Sequence, residues 1–183
     1  SSFKAIGSTA SGVCITNDSM NEMMVWSGFD NLEGALGGAG KYDPSQVSSR
    51  LASLRDPIYT ATWKPLKNWR LEPGFERVGR VKVATENLNA FVAAMSKLEK
   101  GVQDSGHPNF FNGVFISIGG GKHESSTIMV RSVTRDGAAF GKILDQGYSG
   151  NAPWAEAYNE VVSLVDEFVS DNIEICEQFY YGE

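Results

Sequence analysis

Apolar and polar positions follow two periods along this 183-residue chain, one of two residues and one close to 3.6. The clearest passage is residues 114–133, VFISIGGGKHESSTIMVRSV. It reads as a strand, a glycine-rich loop and an antiparallel strand. Ahead of it, VGRVKV at 78–83 predicts a strand. Thr85 then caps a helix, with Leu88, Phe91, Val92, Met95 and Leu98 on one face, fading by Gly106. Beyond it, residues 136–144 predict a short helix. Pro153 opens a clearer one, with Ala157, Tyr158, Val161, Leu164, Val165 and Phe168 on one face. IEICEQFY at 173–180 predicts a closing strand. From residue 78 onward the order is strand, helix, strand, strand, helix, strand, the ferredoxin-like split βαβ order.

The first third is a fainter version of the same text. Residues 3–6 and 13–15 predict short strands, and residues 23–27 a further strand. Residues 32–40 read as a short helix or a loop. Asp43-Pro44 opens a helix with Val47, Leu51 and Leu54 on one face, and Asp56-Pro57 stops it. IYTATW at 58–63 is rich in β formers. Residues 64–77, with two prolines and no periodicity, read as a connector. Met24-Val25-Trp26-Ser27 matches Met129-Val130-Arg131-Ser132, and Ala35-Leu36-Gly37 matches Ala139-Phe140-Gly141. Asp56-Pro57-Ile58 likewise matches Asp171-Asn172-Ile173. A shared order at a nearly constant offset points to a tandem repeat: a first unit over 1–63, a connector over 64–77, and a second unit over 78–183. The first unit lacks an opening strand and long helix, so either the natural chain is longer at its N-terminus or that copy has decayed. A missing strand leaves a sheet edge to be covered by 64–77 or by a homodimer partner.

On this element order the second unit resembles the dimeric α+β barrel superfamily, which includes antibiotic-biosynthesis-type monooxygenases and stress-responsive barrel proteins. The resemblance covers 78–180 well and 1–63 loosely, and carries over no catalytic residue. It implies an α+β fold of two ferredoxin-like βαββαβ units in tandem, the first incomplete, with antiparallel sheets packed as a barrel-like pair.

Strand alternation sorts the residues into two faces. Val81, Val83, Ile128, Val130, Ile173 and Ile175 fall on the face expected beneath the helices. Arg80, Lys82, Arg131, Glu174, Cys176, Gln178 and Tyr180 fall on the other, joined from the first unit by Trp26, Tyr59, Ala61 and Trp63. Cationic and aromatic groups on one concave face suit a small planar or anionic organic ligand. The candidate ligand-binding residues are therefore Trp26, Tyr59, Trp63, Arg80, Arg131, Glu174 and Tyr180. The plainer reading is an ordinary ion-pair network among Arg80, Arg131 and Glu174. Two further readings stand beside a ligand-binding protein: a cofactor-independent monooxygenase-like enzyme, and a structural or oligomerisation module.

Composition narrows the field. A net charge of −6 argues against nucleic acid as a partner. No apolar run reaches the length of a membrane span. Two cysteines, Cys14 and Cys176, do not make a disulfide framework, although one disulfide is open to them, and the default is a pair of reduced thiols. The compartment is unknown, with a soluble, cytoplasmic protein slightly favoured. Ala35–Tyr42 resembles a phosphate loop but has Ala35 and Tyr42 where Gly and Ser or Thr are required. The glycines at 119–121 read as a hairpin turn. His107 and His123 are the only histidines and have no metal-ligand spacing, which leaves them as solvated loop residues. No cofactor motif is present. Asn17-Asp18-Ser19 matches a glycosylation acceptor.

Overall fold

The computed structural model describes residues 2–18, 22–41 and 49–182. The helix start at Asp43-Pro44, with Val47, lies outside the described residues. The elements are α1 (Ser2–Ala5), β1 (Ala10–Thr16), β2 (Met23–Gly28), α2 (Leu32–Lys41), α3 (Ser49–Ala52), β3 (Ala61–Pro65), β4 (Phe75–Lys82), α4 (Leu88–Asp104), β5 (Phe111–Gly119), β6 (Ile128–Thr134), α5 (Gly137–Tyr148), α6 (Ala155–Ser163) and β7 (Glu167–Tyr181). All seven strands join one antiparallel sheet in the order β2-β1-β7-β4-β6-β5-β3, curled as a half-barrel.

The order β7-β4-β6-β5 is that of a complete ferredoxin-like unit. β7 is 15 residues long and serves both units: its first half pairs with β4 and its second half with β1. Reciprocally, β3 of the first unit pairs with β5 of the second. The ladders agree in register. Val13 faces Val25 as Val114 faces Val130, and Gly12 faces Trp26 as Gly113 faces Arg131. Pro65 faces Phe115 as Cys176 faces Cys14. The arrangement is consistent with two ferredoxin-like units in tandem.

The core lies between the sheet and α4, α5 and α6. Phe91, Ala94, Met95, Leu98 and Val102 of α4 pack on Val81, Val114 and Ile128. Each fully buried side chain of this size contributes about 1.5–3 kcal/mol. Val130 lies beneath the helices as expected. Ile173 and Ile175 share the face but are 38% and 56% exposed, because they sit where β7 leaves the helix-covered part of the sheet for β1.

Other boundaries move. Residues 3–6 lie in α1 and the following turn, not in a strand. β3 starts only at Ala61, and β4 begins at Phe75, inside the expected connector. A 3-10 turn over Thr85–Asn87 precedes α4, and Thr85 gives no side-chain cap. The helix expected from Pro153 runs only over Ala155–Ser163, shorter than α5, so Phe168 belongs to β7 and is exposed. Its apolar character fits either period, and hydrogen bonding to β4 decides for the strand.

Candidate functional site

The face opposite the helices carries two linked charged clusters. In the first, Arg131 of β6 reaches across β4 toward β7 and is almost wholly buried. Its Nε donates to Glu76 Oε2 at 2.6 Å and its Nη2 to Glu174 Oε2 at 2.7 Å. Nη2 also lies 3.4 Å from Cys176 Sγ and 3.7 Å from Cys14 Sγ. Both carboxylates are buried. The expected solvated network is thus a buried one, where desolvation is costly and every partner matters. Burial pushes the Glu76 carboxyl above its ordinary value of 4.5; Arg131 opposes this and the neighbouring Glu174 charge adds to it.

The reduced thiols expected from the sequence are instead a disulfide. Cys14 and Cys176 stand opposite each other on β1 and β7 with sulfurs 2.01 Å apart. Their separation of 162 residues hides the pairing from the sequence; only the β1–β7 register brings them together. Cys14, Glu76 and Cys176 place possible metal donors within 4.8 Å of one another. They do not fit a metal ion as they stand: the sulfurs are bonded to each other, and Arg131 holds the carboxylate.

The second cluster centres on Glu124, in the turn between β5 and β6. Its side chain is fully buried. Arg80 of β4 donates to both its oxygens, Nη2 to Oε1 at 2.9 Å and Nε to Oε2 at 3.2 Å. The Tyr59 hydroxyl donates to Oε1 at 2.5 Å. The Tyr59 ring stacks on His123, with centroids 4.4 Å apart and planes 3° from parallel. The Arg80 guanidinium lies 5.4 Å from the Trp63 ring centroid, within cation–π range. Burial, then the Glu124 hydrogen bond, pushes the Tyr59 pKa up to about 12. Burial works against the Arg80 charge, yet Glu124 outweighs it and holds the Arg80 pKa up, with Glu174 adding to the effect. Glu174 of the first cluster thus acts on Arg80 of the second through its charge. His123 is consequently a ring partner, not a free loop residue, and Glu124 is a site residue that sequence reading passed over. The only trace of Glu124 in the sequence is a carboxylate beside His123 in a polar turn.

Trp26 and Arg131 each face a glycine. A Cβ on Gly12 would come within 2.3 Å of the Trp26 indole, and one on Gly113 within 2.4 Å of Trp69. Trp69, from the connector, packs with Trp63 on Val78, Phe115 and Met129 and fills that end of the concave face. Tyr180 stands apart. The ladder shifts between Ser11 and Gly12, so Tyr180 pairs with Ser11 and lays its ring 5.7 Å from that of Phe3. Lys82 pairs with Glu167 at the exposed end of β4. One open cleft of about 350 Å³ lies beside Pro73, Phe75, Ile175 and Cys176, and another of about 520 Å³ lies beside Ile6, Asn31 and Lys41.

No family model and no curated protein matches the sequence. Among solved structures, a crystal structure from Lactobacillus acidophilus NCFM, described as a "putative monooxygenase", matches with a TM-score of 0.58. The match covers 97% of this chain and 82% of that one at 12% identity. The fold is of the ferredoxin-like barrel type. At this identity the likeness shows the fold alone, and folds of this kind host unrelated activities. Among the described residues no helix is long and apolar enough to cross a membrane.

Proposed function

We propose that the concave face of the half-barrel binds a small planar organic molecule with an anionic or hydroxyl group. Trp26, Tyr59, Trp63 and Arg80 are its reachable part. Arg131 and Glu174 form the buried support behind it, and Tyr180, turned toward Phe3 by the bulge, is not part of it. The observation that carries this reading is the Glu124 cluster: a fully buried carboxylate fixed by Arg80 and Tyr59, flanked by the planar surfaces of His123 and Trp63. Buried titratable groups held beside aromatic rings on a concave surface are more characteristic of sites than of plain packing.

Titration of the intrinsic tryptophan fluorescence with 4-hydroxybenzoate and salicylate tests the proposal. Saturable quenching, weakened at least tenfold by Trp63→Leu, supports it. Quenching that never saturates, or that Trp63→Leu leaves unchanged, removes it.

A second reading is cofactor-independent oxygenation, in which Glu124 would take the proton of a bound phenol or quinol. The description of the Lactobacillus protein favours considering it. Oxygen uptake with hydroquinones, lost in Glu124→Gln, would support catalysis; binding without oxygen uptake would leave a binding protein.

A further inference from the structure

The sheet is open where the complete unit is closed. In the second unit β4 lies between β6 and β7, hydrogen-bonded to both. The corresponding place in the first unit is between β2 and β3. Among the described residues, β2 pairs only with β1 and β3 only with β5. Two outer edges therefore offer unpaired backbone N–H and C=O groups, which folded proteins ordinarily pair or cover.

The outer face beside this seam lacks its helix as well. In the second unit Ile128 and Val130 lie under α4, and Ile128 is 8% exposed. Their counterparts by sequence and register, Met23 and Val25, are 65% and 57% exposed. Ile15, opposite Met23, is 58% exposed. These side chains form an apolar stripe with no helix over it among the described residues.

α1 identifies what fits. In the second unit α4 ends at Asp104, Gly106 follows at φ 100°, and β5 starts at Phe111. In the first, α1 ends at Ala5, Gly7 follows at φ 77°, and β1 starts at Ala10. The sequence of helix, left-handed glycine and strand is the same, with α1 in the place of the last turn of α4.

From the topology we infer that the seam and the apolar stripe receive one β-strand followed by one amphipathic helix of this same polypeptide, counterparts of β4 and α4, with Ser2–Ala5 as the helix's last turn. The strand faces Trp26 on one side and Ala61 on the other, as Val78 faces Arg131 and Asn172. The helix covers Met23, Val25 and Ile15. The seam then closes into an eight-stranded barrel, and the concave face becomes its interior. The inference rests on the correspondence of the two units and is independent of the ligand reading.

Amide hydrogen exchange decides it, comparing residues 1–183 with the protein carrying whatever its gene encodes ahead of Ser2. In residues 1–183, β2 and β3 should exchange faster than β6, as frayed edges do. In the longer protein both strands should gain protection together, by about tenfold or more. Val25→Asp, an exposed change that residues 1–183 tolerate, should remove that gain. A longer protein whose β2 and β3 stay unprotected overturns the inference. So does a gene with no strand and helix pattern ahead of Ser2. Protection of both edges that appears in residues 1–183 as protein concentration rises also overturns it, since a second copy would then be the occupant.

Discussion

Trp26 and Arg131 occupy the same position in two corresponding ladders: each stands directly opposite a glycine, Gly12 for the indole and Gly113 for the guanidinium. Gly12 leaves room for the Trp26 indole to lie across β1, whereas the space at Gly113 is taken by the rings of Trp69 and Phe115. The two units thus project an aromatic and a cation from equivalent sites onto one concave face. Only the cation is enclosed, because β4 and β7 supply it with carboxylates, whereas among the described residues β2 pairs with β1 alone and has no neighbour beside Trp26 on its other edge.

Arg131 is the brace of the second unit. Arg131→Met leaves Glu76 and Glu174 buried together without a cation, and should cost about 3–5 kcal/mol of stability by urea denaturation. Adding Glu76→Gln and Glu174→Gln to Arg131→Met should recover much of that loss. Equal stability of Arg131→Met and the unaltered protein would mean that the pair is not buried in solution.

Glu76 gives the stability a pH dependence of known sign. Its pKa is raised in the folded state, so the folded protein holds this proton more tightly than the unfolded one. Its contribution is complete below the ordinary value of 4.5 and is lost as pH rises through the raised folded value. Glu76→Gln should flatten the fall in stability over that window, measured by denaturation midpoints across pH. A steeper fall in the variant would reverse the sign assigned to Glu76.

The sequence carries the fold further than the site. The period-2 and period-3.6 patterns locate the strands and helices of the second unit, and the Met24–Ser27 match to Met129–Ser132 locates β2 against β6. Pairing partners distant in the chain are a different matter. Cys14 meets Cys176, and Tyr59 meets Glu124, only through strand order and register, which local pattern does not encode. Strict alternation along β7 puts Tyr180 on the concave face, and one bulge beside Phe179 turns it toward Phe3. Arg131 and Glu174 are legible because their strands are regular at those points, and Arg80 because the β4–β7 register shifts only after it.

The disulfide has a direct test. Intact mass without reductant should be lower by two hydrogen atoms than after reduction. Cys14→Ser with Cys176→Ser should lower stability by about 2–5 kcal/mol. Structural disulfides of this kind form in oxidising compartments. Free thiols that alkylate fully in the native, unreduced protein would refute the pairing.

Tyr59 should titrate well above the ordinary tyrosine value of 10.0. Its phenolate absorbance should appear near pH 12, and Tyr59→Phe should remove that step alone. Because its folded pKa is raised, its contribution to stability holds below the ordinary value of 10.0 and is lost as pH rises toward about 12. A Tyr59 step near 10 would show that the hydroxyl does not donate to Glu124.

The concave face is tested most directly by a crystal structure of protein purified without added ligand and then soaked with 4-hydroxybenzoate. Density for a planar molecule against Trp63 and Arg80, in the purified or the soaked crystal, is the expected result. A concave face closed by its own side chains in both crystals, with no density at Trp63, Arg80 or Trp26, would contradict a ligand site and leave the half-barrel as a structural module.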